Sequence, residues 1–406
     1  MTTTIAAQTT AAQTAPASKY NHAIGYLRAF IVALVVAHHA ALAYYPLPLL
    51  PPASLVDQPR WWGAFPVLDA HKWSGFAFFA GFNDVFFMSL MFFLSGLFVW
   101  HGLAKKGAAK FLRDRLLRLG LPFVVAAAVL APLAYYPTYL QISGHDGIAV
   151  YWHQWLSLGN WPAGPGWFLW MLLAFDCIAA LLFLLAPKWG QALGALTSGA
   201  ARRPVLFFAA LAAVSALVYI PMAIHFTSLA WIAWGPFTFQ TSRILHYMAY
   251  FLIAVGVGAY GVDRGLLAPD GKLARRWPLW VAAALLIFAA ATVVTLIALA
   301  TGSQSQGLAI ATDAGFVLSC ATSCFAFLAL FLRFAQSRSR LLDSLSANSY
   351  GIYLVHYAFV NWLLFALVPL SLPAVVKWTI AFPGALLLSW GTVATMRRIP
   401  AIARVV

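Results

Sequence analysis

The sequence predicts an all-α fold: a polytopic membrane helix bundle of about ten transmembrane helices, with both termini cytoplasmic. Three observations predict it. Of 406 residues, 63% are hydrophobic and only 9% charged, with a mean hydropathy of +0.83; soluble domains of this size do not have that composition. Apolar runs long enough to cross a bilayer recur at about 24–45, 79–101, 119–138, 167–186, 204–224, 243–261, 278–300, 309–332, 350–370 and 374–396. The basic residues then alternate with the spans. With the N-terminus inside, 20 of the 25 Lys and Arg fall in inner loops and tails, 4 fall outside (Arg60, Lys72, Arg243, Lys377), and Arg28 sits at the inner end of the first span. A miscount of one span would scramble that alternation, so the net charge of +15 reads as topology rather than nucleic-acid binding.

In chain order, residues 1–20 are rich in Thr, Ala and Gln and read as a disordered cytoplasmic tail. A signal peptide is the competing reading. It lacks a basic start before Lys19, and Tyr44-Tyr45-Pro46 is no small-residue cleavage site. Residues 21–396 form one transmembrane domain, and 397–406 a short basic cytoplasmic tail. The first span carries Arg28 and, in an otherwise apolar run, His38 and His39. Eleven steps of 100° make three turns plus about 20°, so Arg28 and His39 leave one face roughly 16 Å apart, while His38 points elsewhere. Ionisable groups are expensive at membrane depth, and spanning requires none of them.

Two outer loops are long. Residues 46–78 carry Trp61, Trp62 and Trp73; residues 138–166 carry His145, Asp146, Trp152, His153, Trp155 and Trp161. Their tryptophans suit an interfacial aromatic belt or a platform for sugar rings. After the second span, Arg115 and Arg118 are three residues apart and share a face of an amphipathic stretch. That stretch fits positive-inside topology with an interfacial helix, or a clamp for phosphate oxygens. Further polar groups fall at membrane depth: Asp84 in the second span, Asp176 in the fourth, Arg243 and His246 in the sixth, Asp313 in the eighth, and Ser349, Tyr353 and His356 on one face of the ninth. Each alone suits a polar tie between helices; together they point to a wet cavity. There an imidazole could take a proton from an attacking hydroxyl. All ten acidic residues are Asp, and Cys177, Cys320 and Cys324 show neither a disulfide framework nor metal-ligand spacing.

Four pieces, in order, resemble the membrane acyltransferase-3 family: Arg28-x10-His39, FFLSG at 92–96 followed by FLRDRLLRLGLP at 111–122, GPGWFLW at 164–170, and NSYGIYLVHY at 348–357. The flavour is nearest to its glucan-modifying branch, the glucans biosynthesis protein C type. The resemblance covers about residues 20–396 and implies an integral protein of the bacterial inner membrane. Such an enzyme moves an acyl group, commonly acetyl or succinyl, from cytoplasmic acyl-CoA to a hydroxyl of an extracytoplasmic carbohydrate. It implies no permanently bound cofactor and no metal. By that resemblance His39 is catalytic with Arg28 as its motif partner, and Arg115 and Arg118 lie on the CoA side. Where many relatives carry a glutamate, this chain has Leu172, and Asp176 one turn on is a candidate substitute. Asp84, Asp176, Arg243, His246, Tyr353 and His356 are then expected to support the polar cavity, with Tyr353, His356 and Arg243 as candidate oxyanion donors. A transporter or flippase for a glycan or lipid-linked sugar is the rival reading, since it would use the same cavity for passage.

Overall fold

A computed structural model describes residues 22–143, 147–303 and 305–406. Ten helices are long and apolar enough to span a membrane: α1 His22–Leu42, α2 Gly75–Lys106, α3 Ala108–Ser143, α4 Gly164–Leu185, α5 Pro204–Phe226, α6 Thr241–Tyr260, α7 Trp277–Thr301, α8 Gln306–Phe334, α9 Arg340–Leu367 and α10 Ala374–Met396. The expected ten spans are therefore found, with almost no strand. Two boundaries move. α3 absorbs the basic stretch before residue 119, and α9 begins about ten residues earlier than its apolar run, because both helices extend past the hydrophobic layer with charged first turns. The loop tail 1–20, His145 and Asp146 lie outside the described residues.

α1 is the pillar of the bundle. It packs against α2, α8, α9 and α10, and Ala23, Leu27, Ile31, Val35, Val36 and Ala40 are all buried along it. Its lower end is tied to α9, where the Tyr26 hydroxyl donates to Asp343 Oδ1 at 2.6 Å and the Ser339 amide donates to Tyr26 at 3.2 Å. Its upper end stops before Pro46, and the Ala43 and Tyr44 carbonyls accept from the Asp69 and Trp73 amides at 2.9 and 3.2 Å. α2 and α6 approach backbone to backbone: a Cβ at Gly96 would meet the Phe251 carbonyl, and one at Gly258 would collide with the Leu97 carbonyl. Small residues permit that approach in a bilayer, where close van der Waals packing holds helices together. α7 lies at the rim, with little of its surface buried.

α3 is not a uniform helix. It widens into π-helical turns at Leu116–Gly120 and Ala126–Leu130. Pro122 and Pro132, which lack an N–H, follow closely on these turns. Between α5 and α6 lies a hairpin absent from the sequence reading, β1 Trp231–Trp234 paired antiparallel with β2 Phe237–Gln240. Trp170 of α4 donates to the Thr238 carbonyl at 3.2 Å, which fastens the hairpin to α4.

The loops on the face opposite the basic connections build a second core. Trp62, Tyr135, Tyr139, Tyr151 and Trp155 are buried together with Tyr357 of α9. Among the loop tryptophans, Trp62 and Trp155 are thus packing residues, neither belt nor platform, whereas Trp73 and Trp152 keep 48% and 40% exposure. The same loop is pinned to α10 by a buried ion pair, Lys377 Nζ to Asp69 Oδ2 at 2.5 Å, with side-chain exposures of 0% and 2%. Asp69 Oδ1 also accepts from the His71 amide at 2.8 Å. Burial holds the neighbouring Lys72 ammonium below its ordinary value, against the pull of Asp69.

Candidate functional site

The site is built where α1 meets α9. His39 is partly exposed, and its ring packs beside His356 at 5.2 Å and edge-on to Tyr357 at 5.0 Å between centroids. It therefore faces the bundle rather than the rim. His356 is fully buried. Its Nδ1 lies 2.7 Å from the Tyr353 carbonyl. A carbonyl only accepts, so that nitrogen carries the proton and Nε2 of the neutral ring holds a lone pair. His39 Nδ1 lies 2.9 Å from the Val35 carbonyl and 3.2 Å from His356 Nε2. Both partners accept, so His39 Nδ1–H is shared between them. The same logic leaves the lone pair of neutral His39 on Nε2. Two backbone carbonyls thereby set the tautomers of a linked imidazole pair, and the basic nitrogen of the ring on α1 has no hydrogen-bond partner among the described residues.

His38 points away, as helix geometry requires. It packs 5.1 Å from Phe87, and its buried Nδ1 finds no partner among the described residues. Arg28 lies eleven residues down α1 and is exposed. Next to the imidazole pair, Tyr353 and Tyr357 line a partly open cavity of about 20 Å³ together with Ala131, Ala134 and Pro165. That is room for roughly one water.

The other expected site residues are separated into distinct pairs. Tyr353 donates to the Pro165 carbonyl at 2.5 Å, which seats the GPG turn on α9. Arg243 is buried and donates to Asp84 twice, to Oδ2 at 2.7 Å and to its carbonyl at 3.1 Å, while the Asp84 side chain remains 47% exposed. His246, expected in the cavity, is instead sealed where α2, α5 and α8 converge on α6. Ser89 and Ser215 lie 3.1 and 2.6 Å from its two ring nitrogens, and Cys320 Sγ is 3.5 Å away. Both nitrogens are committed there, which makes His246 a tie between helices. Of the three candidate oxyanion donors, Tyr353 and His356 spend their protons on backbone carbonyls. Arg243 spends two of its nitrogens on Asp84, and its buried Nε has no partner among the described residues.

Arg115 and Arg118 also part company. Arg115 Nε lies 3.1 Å from Asp176 Oδ2, off hydrogen-bond alignment, with Asp176 fully buried on α4. Arg118 Nε donates to the Arg404 carbonyl at 3.3 Å, and the Arg118 carbonyl accepts from Tyr350. Regular α-helical spacing would put both guanidinium groups on one face; the π-turn that begins at Leu116 intervenes between them. Asp176, one turn beyond Leu172, thus neutralises the first arginine of the pair. The Asp69–Lys377 pair escaped sequence reasoning, because Lys377 looked like an ordinary outer-face cation. A lysine three residues inside an apolar helix was the available signal.

Ten spanning helices, with an imidazole pair where α1 meets α9, define a polytopic integral membrane protein with groups suited to proton transfer. The chain belongs to the acyltransferase-3 family: the family model described as an acyltransferase domain matches residues 21–394. It is accordingly a membrane acyltransferase that transfers a group other than an aminoacyl group. Comparison with curated proteins and with solved structures gives no match to either.

Proposed function

We propose that the protein is an O-acyltransferase of the bacterial inner membrane. It moves an acetyl or succinyl group from cytoplasmic acyl-CoA to a hydroxyl of an extracytoplasmic glycan, and His39 is the general base. The observation that carries this reading is the hydrogen-bond pattern of His39, whose Nδ1 is held by Val35 and His356 and whose Nε2 keeps its lone pair. In the proposed step Nε2 takes the proton of the acceptor hydroxyl as its oxygen attacks the thioester carbonyl. The C–S bond breaks, and the proton passes to the departing CoA thiolate. The imidazolium that forms is steadied by two acceptors on Nδ1. An acyl-histidine route through the same nitrogen has the same overall balance.

CoA is anionic, so its phosphates belong at the basic face. Arg118 and Arg28 are the proposed contacts there, and Arg115 acts through its link to Asp176. The rise of roughly 16 Å from Arg28 to His39 matches the reach of a pantetheine arm. The resemblance to the glucan-modifying branch points to a periplasmic glucan as the acceptor. The test is His39→Ala in a strain lacking the wild-type copy, with ester content of the envelope glycans read by mass spectrometry. Loss of one ester class, on the order of 10²–10⁴ in rate, with normal membrane insertion supports the reading. Esterification at the wild-type level excludes the base role.

A further inference from the structure

On the α2 side of α1, the second span carries a carboxylate that is held fast on one side and open on the other. Asp84 takes two hydrogen bonds from buried Arg243 of α6, one on Oδ2 at 2.7 Å and one on its own backbone carbonyl at 3.1 Å. Among the described residues its Oδ1 accepts none. We propose that Asp84 and the aromatic row Tyr45, Phe65 and Trp61 form the subsite that grips a neutral sugar ring of the acceptor and steers it toward His39. The proposal rests on the glycan O-acyltransferase reading and adds to it the class of ring and the residues that select it.

Four observations carry the assignment. Asp69 and Asp176 are sealed in their ion pairs, with side-chain exposures of 2% and 0%, whereas Asp84 keeps 47% although its arginine has only 5%. Secondly, that exposure faces the interior of the bundle. At 100° per residue Asp84 projects about 60° from Phe87, which packs on His38 of α1, and about 80° from Phe92, which packs on Phe168 of α4. It therefore points between α1 and α4. α4 begins at Gly164, about 6 Å outward of Phe168, while Asp84 stands about 12 Å outward of Phe92. The carboxylate thus clears the end of α4, and one turn further out a Cβ at Gly81 would meet nothing within 4 Å. Thirdly, the neighbours suit a sugar. Tyr45 lies just past the end of α1, and burial together with the Asp84 charge pushes its phenol above the ordinary value. Tyr45, Phe65 and Trp61 follow one another in ring contact, with centroids 5.2 and 6.4 Å apart, and all three are partly exposed. Aromatic rings cover the apolar faces of a pyranose, and an ionised carboxylate accepts from its hydroxyls. Fourthly, charge selects the ring. Arg243 already neutralises Asp84, so an ammonium group gains little there, and an anionic ring would face a carboxylate; a neutral ring meets neither obstacle. His38 connects this subsite to the reacting centre: it lies within electrostatic reach of Asp84, and its ring stands edge-on to His39 at 5.4 Å between centroids.

The experiment is isothermal titration of the full-length protein in detergent with a neutral β-glucan heptasaccharide, and with an oligoglucuronate and a chitosan oligosaccharide of the same length, beside turnover assays with acetyl-CoA. Wild type should bind the neutral heptasaccharide best. Gly81→Leu fills the open space outward of Asp84 with a good helix former and should lose most of that binding. Asp84→Asn should weaken it roughly 10- to 150-fold, the range for a hydrogen bond to a charged group. Asp84→Glu keeps a carboxylate for Arg243 but displaces it; it serves if Asp84→Asn does not fold, and should lose part of the affinity, as should Trp61→Ala. In turnover these variants should raise the Michaelis constant for the glucan and leave that for acetyl-CoA unchanged. Wild-type affinity in Gly81→Leu and the Asp84 variants, equal binding of the charged oligosaccharides, or no binding of the neutral one by wild type overturns the subsite. Selective binding of the neutral heptasaccharide without release of CoA thiol leaves the subsite standing and counts against the acyltransfer reading. His39→Ala should bind the heptasaccharide as wild type does, which separates capture from chemistry; loss of binding there as well overturns the assignment to Asp84.

Discussion

The imidazole pair predicts an uneven outcome when its second member is removed. His356→Leu deletes one of two acceptors on His39 Nδ1–H and keeps the other, the Val35 carbonyl at 2.9 Å. The tautomer of His39 is therefore preserved, and with it the lone pair on Nε2. What is lost is a hydrogen bond that strengthens as the ring becomes positively charged, worth about 1.5–3 kcal/mol. At about 1.4 kcal/mol per decade, turnover should fall roughly 10- to 150-fold without disappearing. His39→Ala removes the proposed base and should cost about 10²–10⁴. Because His356 acts through His39, the double variant should be no slower than His39→Ala alone. For the proposed reaction, the assay is release of CoA thiol by purified protein in detergent with the proposed glycan acceptor, normalised to folded protein by size-exclusion profile. Wild-type turnover in His356→Leu, or strictly additive losses in the double variant, would refute the coupling.

Three further outcomes follow from the packing. Lys377→Met leaves buried Asp69 with only the part-exposed His71 imidazole, 3.1 Å from its Oδ1, and should cost up to about 3–5 kcal/mol, read as a lowered thermal unfolding midpoint in detergent; Lys377→Met/Asp69→Asn should recover most of that loss, and an unchanged midpoint in the single variant would mean the pair is not desolvated. Arg118→Ala should raise the Michaelis constant for acyl-CoA more than that for the acceptor, whereas Arg115→Ala should lower the yield of folded protein by stranding Asp176, with Arg115→Ala/Asp176→Asn restoring it. Gly258→Ala should weaken the α2–α6 contact through collision with the Leu97 carbonyl, by about 1–3 kcal/mol as overpacking, measured by the same unfolding midpoint; wild-type stability there would show that the helices can separate freely.

Span count was legible because bilayer thickness and charge bias act on long stretches of sequence, and ten apolar runs matched ten helices. An eleven-residue separation fixes the relative directions of Arg28 and His39 on a regular helix, and α1 is a regular helix over His22–Leu42. Partners were less legible. His356 stood out on its own helix, but its bond to His39 depends on how α9 rotates against α1, which the periodicity of either helix leaves open. His246 read the same way as His356 in the sequence and lies instead in a closed knot of Ser89, Ser215 and Cys320. Arg115 and Arg118 misled for a local reason, since the sequence reading assumed an unbroken α-helix where a π-turn begins one residue later. The hairpin at 231–240 was obscured because its apolar residues merge with the flanking spans.

Two phenols join the two ends of this architecture. Tyr357 flanks His39 on one side and stands 3.4 Å from the Tyr135 hydroxyl on the other, and that hydroxyl in turn holds the Gly63 carbonyl of the outer loop at 2.5 Å. The outer loop and the wall around the imidazole are thus linked through these two tyrosines. Changes far out on that loop should therefore register as altered turnover as well as altered capture of the proposed glycan acceptor.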